Sequence, residues 1–297
     1  GRFYAANTLG AAAAAFLFPI ALFEHFGAHG STLLAVLANS LAAVGAFCLP
    51  TRCNPVDSSA TRPAGRSPTA SPYYIGPAFF LSGLVALSLE TLYNRVLVMS
   101  FGSSIYSFSF ILGVFLVGIA AGGQIFALAD RRLAAGPIFL IAQTLIFAHL
   151  LVTVPFMDRA ARLQLMIFDF SDGSFFSFHL ANILVAFLYA GAPAVGFGMG
   201  YPAALKALTA EVSDIGSKTG RWGAVNSVGT MLGSLLITFV CLPTLGSRHS
   251  FLQQFLVFDW LGRHKFLLPG VRHLHRQCSK AGNQYIYPGQ YLQQFYI

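Results

Sequence analysis

Glu90 is the residue whose type and position most invite chemistry. It falls near the middle of an apolar run from Ile75 to Met99, and no other carboxylate lies as deep in a clear apolar stretch. An ionisable side chain is expensive to keep in such a setting, so it marks either a proton or cation site or a structural group bonded to a neighbouring helix. Asn94, one helical turn further on, shares its face. Arg95 is rotated from Glu90 by about 140° and lies close enough to the end of the run for its long stem to reach an interface. No Glu90–Arg95 pair is therefore expected within the helix. Glu90, Asn94 and Arg95 are the candidates for a substrate or proton site, although the scarcity of further acids favours the structural reading of Glu90.

Asn7 and Asn226 form a second set. They occupy matching places in two similar stretches, where an amide can bond across to another helix or cap free backbone donors. Symmetric placement favours such a role over lining a substrate path. Asp130, Arg131 and Arg132 follow an apolar helix and read either as a latch between helix ends or as a plain basic anchor. His149, His179 and Asn182 are isolated polar groups, and Cys48, Cys53, Cys241 and Cys278 lack paired spacing. No metal site is expected, because one needs three or four convergent ligands. Gly196-Phe197-Gly198-Met199-Gly200 looks like a nucleotide loop but lies inside an apolar span rather than between a strand and a helix. No cofactor is expected.

The elements that must position these residues follow from composition. The 297 residues are 56% hydrophobic and only 9% charged, with a mean hydropathy of +0.66. A soluble domain carries roughly a quarter charged residues, and disorder has the opposite signature. An all-α polytopic transmembrane bundle of about seven to eight helices is the expectation, at about 20 residues per crossing. Spans are predicted at Phe3 to Phe23, Thr32 to Leu49, Ile75 to Met99, Ser104 to Leu128, Pro137 to Phe156, Phe175 to Tyr201 and Trp222 to Leu245. A weaker eighth, Phe251 to Leu268, carries Asp259, Arg263 and Lys265. The net charge of +8 fits basic residues in cytoplasmic loops, and without a basic stripe on a soluble face no nucleic acid is expected as a partner.

Gly1-Arg2-Phe3-Tyr4-Ala5-Ala6-Asn7-Thr8-Leu9-Gly10 aligns with Gly220-Arg221-Trp222-Gly223-Ala224-Val225-Asn226-Ser227-Val228-Gly229, and the register runs on without a gap to Gly27 with Gly246 and Ser31 with Ser250. Residues 1–49 then read as the last two helices of a first membrane repeat and 75–250 as a second. Residues 50–74, rich in Pro, Ser, Thr and Arg, read as a solvated linker, and 251–297 as a degenerate basic tail. The chain reads as a fragment that begins inside an element. Parallel six-helix repeats are the architecture of the major facilitator fold. With the N-terminus and linker cytoplasmic, Arg2, Arg52, Arg62, Arg66, Arg131, Arg132, Lys206, Lys218 and Arg221 fall inside against Arg159, Arg162 and Arg248 outside. The expected location is the cell (inner) membrane, multi-pass, with the lipid bilayer as the first partner.

The duplicated stretch resembles the membrane half of the spermidine synthase-like family, a facilitator-like module fused to a polyamine aminopropyltransferase domain. Leu81-Ser82-Gly83-Leu84-Val85-Ala86-Leu87-Ser88-Leu89-Glu90 with Tyr93 and Arg95 is similar to that family's first-helix pattern. Gly102-Ser103-Ser104 with Phe115 to Gly122, and Gly198-Met199-Gly200-Tyr201-Pro202, are similar to later ones. Asp130-Arg131-Arg132 resembles a facilitator loop signature. Leu89 and Tyr93 depart from the family's usual aromatics, and the likeness ends near Ser250. The resemblance implies a transporter-like module with a small amine, such as a polyamine, as cargo. Its alternative is a membrane anchor or regulatory part for a spermidine synthase-like soluble domain. That catalytic domain is not visible in this chain, so no synthase activity is expected of it.

Overall fold

The computed structural model describes residues 2–48, 72–169, 174–209 and 215–263. The fold is all-α, with no strand among these residues. Its helices are α1 (Arg2–Leu17), α2 (Glu24–Cys48), α3 (Pro72–Phe101), α4 (Ile105–Ala129), α5 (Ala135–Thr153), α6 (Ala160–Asp169), α7 (Phe175–Ala186), α8 (Ala192–Leu208), α9 (Ile215–Leu236) and α10 (Leu242–Arg263). Wider π-helical turns at Phe18–Phe23, Phe187–Gly191 and Ile237–Cys241 join α1 to α2, α7 to α8 and α9 to α10, and a 3-10 turn at Val154–Arg159 joins α5 to α6.

Six helical stretches among the described residues are long and apolar enough to cross a membrane: Ala6–Cys48, Ile75–Phe101, Ile105–Ala129, Ala135–Asp169, Phe175–Leu208 and Gly216–Gln254. Seven to eight were expected. The lower number counts as one stretch the two helices that meet at Gly27 and the two that meet at Gly246. Gly27 (φ 62, ψ −171) and Gly246 (φ 71, ψ 173) leave the helical conformation, so each separates the helix before it from the helix after it, within the predicted breaks Phe23 to Thr32 and Leu245 to Phe251. Only glycine enters that conformation freely. Gly27 and Gly246 are also partners in the sequence repeat, and the π turns that precede them match in the same register. The duplication is thus one of backbone shape as well as residues.

Two further boundaries differ from expectation. The segment between Met157 and Ser174, which lies outside the predicted spans, contains α6. Helix α3 begins at Pro72, so the end of the expected linker is helical; residues 49–71 and the tail from 264 lie outside the described residues.

Small residues decide which helices touch. On α4, Gly118 faces Ala194 and the Gly191 carbonyl, and Gly122 faces the backbone of Val195, Gly198 and Met199; Gly198 of α8 in turn faces the Ile119 backbone. On α9, Gly229 lies on the Phe80 carbonyl and Gly233 on the Leu84 carbonyl of α3. Backbone-to-backbone contact of this kind is what four-residue spacing of small residues permits. The α3/α9 pair meets α5 and α8 through side chains: the rings of Phe79 and Tyr201 are 5.4 Å apart, and Gln143 donates to Ser82 at 3.0 Å. Helix α1 packs on α4, with the Phe16 ring over Gly113. Helix α2 touches little beyond the turn before it, and apolar side chains stand exposed all round it, Phe47 at 91% and Leu41 at 71%. A helix apolar on every face belongs in lipid or a core.

Candidate functional site

Glu90 sits half-buried on α3 and makes no hydrogen bond or ion pair among the described residues. One turn on, the Asn94 Oδ1 is buried and also lacks a hydrogen-bond partner there. The two therefore share a face, as their spacing requires. Arg95 is exposed and does not pair with Glu90. Other polar groups on α3 point elsewhere. The Ser88 hydroxyl, buried and without a partner among the described residues, is directed at Gly233 of α9. Tyr93 is fully buried against Phe251, ring centroids 5.3 Å apart, with Thr153 near its hydroxyl. Buried polar atoms are nearly always hydrogen-bonded, so each exception calls for a bound water, ion or ligand, or a functional role.

The repeat-related asparagines diverge. Asn226 is buried well inside α9 and lies over Gly83, where a β-carbon would strike its backbone and side-chain oxygens. Asn7 is exposed, although α1 packs on α4. Asn226 is too far from the start of α9 to cap it.

Asp130 ends α4 and receives Lys206 of α8, whose Nζ lies 2.6 Å from both carboxylate oxygens. Arg131 and Arg132 are exposed at the same end. At the opposite end Arg248 reaches Asp158 at 3.8 Å, and Tyr106 of α4 donates to the Glu24 carboxylate of α2.

Sequence reasoning did not find Gln143, Ser82, Lys206 or Glu24 as partners. Gln143, 2% exposed in an otherwise apolar helix, was the available signal. His149 Nε2 donates to the Tyr189 carbonyl oxygen at 2.8 Å. His179 is sleeved by the rings of Tyr106, Phe110, Phe175 and Phe178, at centroid distances between 4.3 Å and 5.4 Å. Asn182, one turn away, is fully buried with neither amide atom paired. Among the described residues no three His, Cys, Asp or Glu side chains gather as metal ligands.

A half-buried carboxylate beside an unused amide oxygen offers acceptors and no fixed cation. An ammonium group, which has donors and no acceptor, is its chemical complement. No family model, curated protein or solved structure matches the chain.

Proposed function

We propose that this chain is a transporter-like membrane module, built as part of a facilitator-like bundle, that passes small amines by way of Glu90. The observation that carries the reading is the half-buried Glu90 carboxylate, which has no partner among the described residues, next to the Asn94 Oδ1, likewise unpaired there, on a helix apolar enough to span.

The helix pairing supports the architecture. In a six-helix half made of inverted three-helix repeats, the first crossing exchanges with the fourth and the second with the fifth. Here α3 would exchange with α7–α8 and α4 with α9. That operation carries the glycine contact of α9 on α3 into the glycine contact of α4 on α8, with the glycines on the exchanged helices in both cases. The polyamine class of cargo and the link to a spermidine synthase-like domain come from sequence resemblance.

The test is uptake of labelled spermidine by the purified chain in proteoliposomes. Wild-type vesicles should accumulate label above protein-free vesicles. Glu90→Gln should lower uptake at least about tenfold, the effect of losing roughly 1.4 kcal/mol of interaction, whereas Glu90→Asp should retain part of it. Equal uptake by Glu90→Gln removes Glu90 from the mechanism. No uptake by wild type refutes transport of this cargo and leaves the membrane-anchor reading.

A further inference from the structure

A groove of about 440 Å³ opens where α5 ends, between the 3-10 turn Val154–Arg159, α6 and the π turn before α8. Helix α5 rises about 28 Å over its length at 1.5 Å per residue, close to the thickness of a hydrocarbon core. If α5 starts at one boundary of the bilayer, the turn that follows it lies at headgroup depth on the other side.

The groove has two chemical halves. Val152, Phe156, Leu163, Met166 and Leu188 form apolar walls, and Val152, Phe156, Met166 and Leu188 are between 46% and 65% exposed. Arg159 and Arg162 stand at the mouth. Arg159 lies over the Phe156 ring, 5.2 Å from its centroid. The neighbouring Asp158 is engaged by Arg248. Among the described residues neither Arg159 nor Arg162 pairs with a carboxylate.

The polar groups on the floor are already committed. Tyr189 donates its hydroxyl to the Phe156 carbonyl oxygen at 2.8 Å, and Thr153 donates to the His149 carbonyl oxygen at 2.9 Å. The floor therefore offers little to a polar solute and suits a hydrocarbon chain. Two guanidiniums above it suit a phosphate, which they can grip through forked hydrogen bonds.

We infer that this groove binds one anionic phospholipid, with its phosphate on Arg159 and Arg162 and one acyl chain along the Phe156–Met166–Leu188 wall. The inference depends on the chain lying in a bilayer and is independent of whether it transports amines. Each basic residue near a membrane surface strengthens attachment of anionic lipid about fivefold, so losing both should weaken binding about twentyfold or more.

Native mass spectrometry of the full chain in detergent, titrated with phosphatidylglycerol, phosphatidylcholine or inorganic phosphate, tests it. Wild type should retain one phosphatidylglycerol in preference to phosphatidylcholine, and inorganic phosphate should neither bind detectably nor displace it. The Arg159→Gln/Arg162→Gln variant should lose that preference, and Arg131→Gln at the opposite end should keep it. Leu188→Glu, which places a charge on the acyl wall, should weaken retention while both arginines remain. Equal retention of the two lipids by wild type, or unchanged retention by the double variant, overturns the site. Full displacement by inorganic phosphate overturns it in favour of a simple anion site. Vesicle insertion, scored separately with either lipid, separates failure of this site from failure of the membrane reading.

Discussion

Replacing Gly122 by Ala sets two known effects against each other. Alanine is the better helix former by about 1 kcal/mol. Against that, the added methyl would run into the Val195 carbonyl oxygen and the backbone of Gly198 and Met199. Backbone cannot swing aside as a side chain can, so α4 and α8 would have to separate, and the overpacking penalty should reach the upper end of its range, about 3 kcal/mol. The net expectation for Gly122→Ala is a loss of about 2 kcal/mol. Gly200→Ala is the control, because its β-carbon would find its nearest neighbours 3.4 Å to 3.7 Å away, an ordinary contact, and it should be neutral or slightly stabilising. Unfolding of the purified chain in detergent, followed by circular dichroism, measures both. If Gly122→Ala is as stable as Gly200→Ala, the close α4–α8 approach is wrong, and with it the pairing that supports the proposed facilitator-like arrangement.

Gln143→Leu should destabilise by about 1–3 kcal/mol, because it leaves the nearly buried Ser82 hydroxyl without its donor; Ser82→Ala in the same chain should recover most of the loss in a double-mutant cycle. Asp130→Asn should cost about 0.5–1 kcal/mol, a small amount because Lys206 is more than half exposed, and the difference from wild type should shrink in high salt. A larger, salt-insensitive loss would show that the pair is less accessible to water than this structure places it.

Composition made the spanning helices legible, since a run of some twenty apolar residues has few other solutions. The aligned Gly27 and Gly246 were legible as a repeat, but their backbone angles were not. A glycine in sequence does not say whether it bends the chain, lets a neighbour approach or does neither, and Gly10, with nothing near its missing β-carbon, does neither. Helix α6 escaped because its charges resemble those of a loop, while its apolar positions Leu163 and Ile167 pack on the core only through contacts with other helices. The partner of Asp130 escaped for a related reason: Lys206 is 76 positions away, and only the close α4–α8 contact brings the two ends together. Glu90 and Asn94 were legible as one face, whereas the absence of a partner for Glu90 among the described residues depended on how every neighbouring helix is turned.

Four of the described helices form two stiff blades, α4 with α8 and α3 with α9. Each is locked by main chain lying on main chain, and the first is also riveted at one end by Asp130 and Lys206. The blades meet through side chains such as the rings of Phe79 and Tyr201, and α5, which belongs to neither, bonds to α3 through Gln143 and Ser82. Shear inside a blade would drive atoms into one another. Along the seam a shift of an ångström requires little more than rotamer adjustment, so mechanical compliance between the blades is concentrated beside Phe79 and Tyr201.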